Sequence, residues 1–193
     1  ALTTLDLAYD TGTGTFDSAG SYNFNPSTAP QATLPGSEVR ILPGAQIDTT
    51  LSSSYVALVA PSVYNGGTIT ADGSVALVAA DTATITFSPG GLSNGLFDIL
   101  VTEGSSATGN VVTNVGTITG PASANVNSFQ RIYMVAVAKN DAITMAIGSG
   151  SSLGFDIAGA ADVVGNAIVL SAGYDVVAGS PGLVPSAGSG TGL

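Results

Sequence analysis

The pentapeptide Val-Ala-Leu-Val-Ala occurs at 56–60 and returns at 75–79, so that Val56 recurs as Val75 and Leu58 as Leu77. Between the copies the chain turns through Tyr64-Asn-Gly-Gly67 into Thr68-Ile-Thr70, and after the second it runs out through Thr82-Ala-Thr-Ile-Thr-Phe87. A short apolar strand, a glycine turn and a second strand, returning at a fixed step of about 20 residues, is the sequence pattern of a solenoid. The expectation is an all-β right-handed parallel β-helix with ~19–20 residues per coil and almost no α-helix. Val56, Leu58 and Ala60 share one strand face, and Val75, Leu77 and Ala79 take the same face one coil later. Equivalent side chains then stack about 4.8 Å apart. A one-residue slip would turn the whole inward set outward, so this pattern specifies register.

Composition supports strands over helices. Lys139 is the only lysine, Glu38 and Glu103 are the only glutamates, and there are 26 glycines. Strong helix formers are therefore scarce, while the abundant Val, Ile and Thr suit a pleated surface. At 45% hydrophobic the chain can bury a core, and at 8% charged it departs from a typical globular enzyme. Arg40, Arg131 and Lys139 are the only cations, and the net charge is −10. Nucleic-acid binding, which needs several cations on one surface, is not expected, nor is attraction to anionic membranes. The longest apolar run, Ile132–Ala138, falls far short of the ~20 residues of a membrane helix. The chain opens on no signal peptide, as Ala1-Leu2-Thr3-Thr4 has neither a basic nor an apolar region.

Three regions follow from the pattern. Residues 1–36 form irregular N-terminal strands and turns: Leu5, Leu7 and Tyr9 alternate with Thr4, Asp6 and Ala8, Tyr22-Asn-Phe24 is a short strand stopped at Pro26, and Pro30 and Pro35 continue an irregular connection. Residues 37–177 carry the coils, beginning near Val39, with insertions near 89–110 and 148–160. Val39-Arg-Ile41 and Ala45-Gln-Ile47 frame a turn at Pro43-Gly44, and Leu96–Val101 is a strand ahead of a loop at Glu103–Asn110. Asn114-Val-Gly-Thr-Ile-Thr119 echoes Asn65-Gly-Gly-Thr-Ile-Thr70, which predicts stacked asparagines at a repeated corner. Ile132, Met134 and Ala136 repeat the apolar theme, and the distance from Val75 to Ile132 is read as three repeats. Ile143, Met145 and Ile147 are read as counterparts of Ala83, Ile85 and Phe87, and Ile168, Leu170 and Ala172 as a further copy. Residues 178–193 are a Gly/Ser/Pro-rich linker or tail. At this period the chain would make roughly nine coils, on the order of 45 Å long.

These residues also carry a family resemblance. Thr4-Leu-Asp6, Phe16 with Gly20-Ser-Tyr-Asn-Phe24, Tyr55-Val-Ala-Leu-Val-Ala-Pro61, Asn65–Ala71 and Gly73–Asp81 together resemble the filamentous-haemagglutinin exoproteins of two-partner secretion. The match is to the second half of the haemagglutination-activity domain and the β-helix after it, over residues 2–120, with the remainder similar in repeat style. The resemblance implies a right-handed β-helix, export through an outer-membrane β-barrel transporter, and adhesion on the cell surface or after release. The family's Asn-Pro-Asn-Gly-Ile signature is missing, and Asn25-Pro-Ser27 does not replace it. The chain thus looks as though it starts inside that domain, and no transporter-recognition residue is assigned.

Chemistry is sparse. Without histidine or cysteine, Ser-His-Asp and Cys-His nucleophiles and the usual zinc ligand sets are excluded. Glycoside hydrolysis would need two carboxyls roughly 5–9.5 Å apart, for which Asp6/Asp10 and Asp156/Asp162 are the candidates. Gly66–Asp72 lacks the middle glycine of a calcium-roll repeat, and Gly148–Gly154 lacks the helix and spacing of a dinucleotide loop. Tyr55, Tyr64 and Tyr133 would stack on sugars if exposed, or within the solenoid otherwise. No Asn-X-Ser/Thr acceptor occurs without proline. No catalytic, cofactor-binding or metal-binding residue is assigned.

The expected function is a non-enzymatic segment of a secreted bacterial cell-surface adhesin or fibre. Its partners would be the transporter during export and a glycan or protein receptor, together with end-to-end self-association, without nucleic acid or membrane insertion. A β-helical carbohydrate-active enzyme or tailspike-like glycan binder, and a self-assembling structural fibre, are the alternatives.

Overall fold

The computed structural model describes residues 2–7, 21–25, 37–49, 54–87, 97–121, 130–137, 139, 145–154, 167–171 and 175–176. Every regular element among them is a β-strand. The expected all-β class is therefore observed, with three parallel ladders and one antiparallel sheet joined to them.

The first parallel ladder orders β1 (Leu2–Thr3), β6 (Val56–Ala60), β9 (Val75–Phe87), β13 (Arg131–Ala136) and β16 (Ala167–Ser171). The second orders β4 (Glu38–Ile41), β7 (Ser62–Asn65), β11 (Val112–Asn114) and β14 (Met145–Ile147). The third orders β5 (Gln46–Asp48), β8 (Thr68–Thr70), β12 (Thr117–Thr119) and β15 (Ser152–Leu153). From β4 onward the chain visits the second, third and first ladders in that order four times.

Val56 pairs in register with Val75, and Leu58 with Leu77, as the repeated pentapeptide predicts. The next step differs. Ile132 registers directly on Val75 and Met134 on Leu77, so the whole stretch between them advances the ladder by one strand, not three. Asn114 likewise lies one step beyond Asn65, although 49 residues separate them. Long excursions between rungs thus leave the ladder register intact and dilute the period. Met145 and Ile147 are the register partners of Val112 and Asn114, which in turn sit on Val63 and Asn65. They are not counterparts of Ile85 and Phe87, while Ile143 lies outside the described residues. Ile168 and Leu170 do continue the copy begun by Ile132 and Met134.

The first excursion is built by β9 itself. Its first five residues belong to the parallel ladder, and its remainder pairs antiparallel with β10 (Phe97–Gly104) and β3 (Ser21–Asn25). The register of β10 shifts between Val101 and Glu103 and again between Glu103 and Gly104, as at a β-bulge. β2 (Asp6–Leu7) pairs with β3, and β17 (Asp175–Val176) with β10.

Two cores result, sharing the first ladder between them. One holds Val56, Leu58, Val75, Leu77, Ile132 and Met134 with Val63, Ile69, Val112 and Ile118. The other holds Val59, Ala76, Val78, Tyr133 and Val135 with Phe24, Ile85, Ile99 and Val101. Both faces of β13 and of the ladder part of β9 are covered, and their sequence is accordingly a near-continuous apolar run. The Thr-Ile-Thr strands, by contrast, bury only the central isoleucine and alternate. A fully buried leucine such as Leu58 or Leu77 contributes roughly 1.5–3 kcal/mol.

Candidate functional site

The corner after the second ladder is the most tightly specified polar feature. Asn65 and Asn114 are fully buried. The Asn65 amide donates to the Asn114 side-chain carbonyl at 2.7 Å, Asn65 accepts from the Gly67 N–H at 3.2 Å, and Asn114 donates to the Gly116 carbonyl at 3.0 Å. This is the predicted asparagine stack, two members long, with Ile41 and Ile147 at the flanking register positions. Both residues are fully buried and the hydrogen bonds they make here join the two corners to each other and to their own turns, which is a structural arrangement.

A cationic clamp lies where the β9–β10 hairpin leaves the ladders. The Lys139 ammonium contacts Asp81 at 3.1 Å and Glu103 at 2.5 Å. Asp81 also accepts from the Ser106 N–H and hydroxyl, at 3.0 and 3.2 Å. The hydrogen bond to Glu103 is the main cause that raises the Lys139 pKa above the ordinary lysine value; Asp81 acts in the same direction and desolvation opposes both. A protonated amine held by two carboxylates is neither a nucleophile nor a base, and the clamp instead ties the hairpin to the chain leaving β13.

Arg131 is the feature that sequence reasoning misses. It is almost fully buried, its backbone N–H donates to the Ser74 hydroxyl at 3.0 Å, and its Nε and Nη1 have no hydrogen-bond partner. Beside it in sequence, Gln130 donates to the carbonyls of Asp72 and Pro121 at 2.7 and 2.8 Å, while its own carbonyl oxygen is unpartnered. The only hint in the sequence is an arginine heading the apolar run Ile132–Ala138, of which Ile132 through Val137 are buried.

The three tyrosines separate by position. Tyr133 is buried in the second core, which rules out sugar stacking there. Tyr64 is half-buried with the Arg40 guanidinium 3.9 Å above its ring, and Arg40 in turn contacts Glu38 at 3.1 Å. Tyr55 is half-buried and packs against the second core. Of the carboxylate pairs, Asp6 lies in β2 opposite Asn25, whereas Asp10, Asp156 and Asp162 fall outside the described residues. Among the described residues no group of three acids gathers as a metal site.

Compared with known proteins, the chain matches no family model, no curated protein and no solved structure.

Proposed function

We propose that this chain is a right-handed parallel β-helix serving as a non-enzymatic segment of a secreted, surface-exposed bacterial adhesin or fibre. The observation that carries the reading is one column: Leu58, Leu77, Met134 and Leu170 in parallel register while the chain passes four times through the same three ladders. Four passages in one order are what a β-helix requires, and each rung completes its neighbour's core. Such a stack offers a long, stiff surface. Histidine and cysteine are missing, which removes the Ser-His-Asp and Cys-His nucleophiles. The resemblance of residues 2–120 to filamentous-haemagglutinin exoproteins supplies the class: export through an outer-membrane β-barrel partner, then binding of a glycan or protein receptor.

Binding of the purified, labelled chain to epithelial and bacterial cells, with a glycan array alongside, tests this reading. Saturable binding that survives Lys139→Met is expected. Absence of binding to cells and glycans alike, with a β-rich far-UV spectrum intact, would remove the adhesin assignment.

A further inference from the structure

We infer that the two end rungs are mating faces for copies of this chain stacked head to tail, an inference that rests on the β-helix reading above. One end presents β4 and β5, the other β14 and β15, and among the described residues no strand pairs beyond any of the four. An open ladder edge is a template for another strand, and natural proteins usually blunt it. Here the inward positions of both edges are aliphatic. Val39, Ile41 and Ile47 line one edge, and Met145, Ile147 and Leu153 the other.

The columns show that these six residues complement one another. Val39, Val63, Val112 and Met145 form one column, and Ile47, Ile69, Ile118 and Leu153 another. In the third, Asn65 and Asn114 occupy the middle while isoleucines stand at the ends, Ile41 only 5% exposed but Ile147 45%. A polar residue would suit the exposed Ile147 position in a monomer; the chain places isoleucine there and keeps its asparagines between the rungs. Setting β4 and β5 of a second copy beyond β14 and β15 continues every column. Met145 meets Val39, Ile147 meets Ile41, and Leu153 meets Ile47. On the outer side Arg40 meets Ala146 and Gln46 meets Ser152, so these positions oppose no like charges.

The remaining ladder completes the fit. Leu170 on β16 is 54% exposed and stands in line with Met134, Leu77 and Leu58. In the stacked pair β16 would lie on β6 of the next copy, with Leu170 over Leu58. Within each copy that place is held by β1, whose Leu2 registers on Leu58 through a strand of only two residues. Docking therefore exchanges this short pairing for one along the full length of β16. Because the two faces differ, the contact is heterologous and grows as an open chain of copies.

Sedimentation velocity and electron microscopy of the full chain over a concentration series test this. The wild type should form end-to-end rods that lengthen with concentration. Ile147→Lys blocks one face and Ile47→Lys the other, so each variant alone should be monomeric, whereas an equimolar mixture should form dimers and grow no further. Circular dichroism checks that each variant is folded; if Ile147→Lys is not, Leu170→Lys, already at an exposed position, replaces it. A wild type that stays monomeric at every concentration, a single variant that still assembles, or a mixture that does not pair overturns the proposal. A folded monomer that nonetheless binds cells would leave the proposed function standing, and rods that bind nothing would leave only the stacking.

Discussion

The side chains of Asn65 and Asn114 meet inside the protein through a 2.7 Å hydrogen bond, although 49 residues separate them. Each also anchors the turn that follows it, Asn65 at the Gly67 N–H and Asn114 at the Gly116 carbonyl. One bond thus locks two successive corners in register, and a chain passing from the second ladder to the third is held to the same geometry twice.

Asn114→Ala should therefore cost about 1–3 kcal/mol, because it takes the acceptor from the buried Asn65 amide, while the Gly116 carbonyl keeps the Ser152 N–H at 3.1 Å. Asn65→Ala should cost a similar amount. The double variant should lose less than the two single losses combined, with a coupling of roughly 0.5–3 kcal/mol. Urea denaturation of the four proteins checks this, and strict additivity would deny the ladder.

Leu77→Ala should destabilise by about 2–5 kcal/mol, since Leu77 is fully buried between Leu58 and Met134. Leu100→Ala should stay within about 0.5 kcal/mol, because Leu100 stands exposed on β10. Urea midpoints at unchanged slope are the readout.

Gly116 and Gly109 should respond to a side chain to very different degrees. A Cβ on Gly116 would collide with the Gly67 carbonyl oxygen and approach Gly66, both backbone of the rung below. Neither can yield without breaking the ladder, so Gly116→Ala should cost about 3 kcal/mol or more. Gly109 has a φ of +78° but open space around it. Gly109→Asn should cost about 1 kcal/mol or less, as asparagine tolerates the left-handed region. Thermal unfolding of the two variants separates a packing limit from a backbone one.

The Lys139 clamp predicts an alkaline dependence with a definite sign. The folded pKa lies above the unfolded one, with the Glu103 hydrogen bond the main cause. The stabilisation is therefore complete below the unfolded lysine pKa of about 10.4 and is lost as pH rises through the higher folded value. The ammonium is partly exposed, so the difference between wild type and Lys139→Met should be no more than about 1 kcal/mol. It should be flat through neutral pH, shrink above about pH 10.4, and shrink in molar salt. Denaturation midpoints at three pH values and two salt concentrations measure it.

Register was legible wherever the chain spelled the same strand twice. The pentapeptides at 56 and 75 and the Thr-Ile-Thr strands at 68 and 117 all pair as their spelling implies. Counting rungs by length was not legible. The distance from Val75 to Ile132 is a whole multiple of that from Val56 to Val75, yet most of it is an excursion that includes the β9–β10 hairpin. A multiple of the period carries no information once insertions are free to grow. The second core had a signal that the solenoid reading passes over. Val75–Ala80 has no polar residue at alternate positions, unlike Thr68-Ile-Thr70, and a strand without alternation is covered on both faces.

The sequence alone determined the strand content, the inward set of the first repeat and the asparagine corner, because side-chain alternation and turn chemistry act over a few residues. Only the tertiary structure decided that Tyr133 and Arg131 lie inside, that Lys139 meets Asp81 and Glu103 across 58 and 36 residues, and that β9 serves two sheets at once. Those outcomes depend on which excursion folds back over which strand. That is settled by apolar area buried between segments far apart in the chain, and no local pattern encodes it.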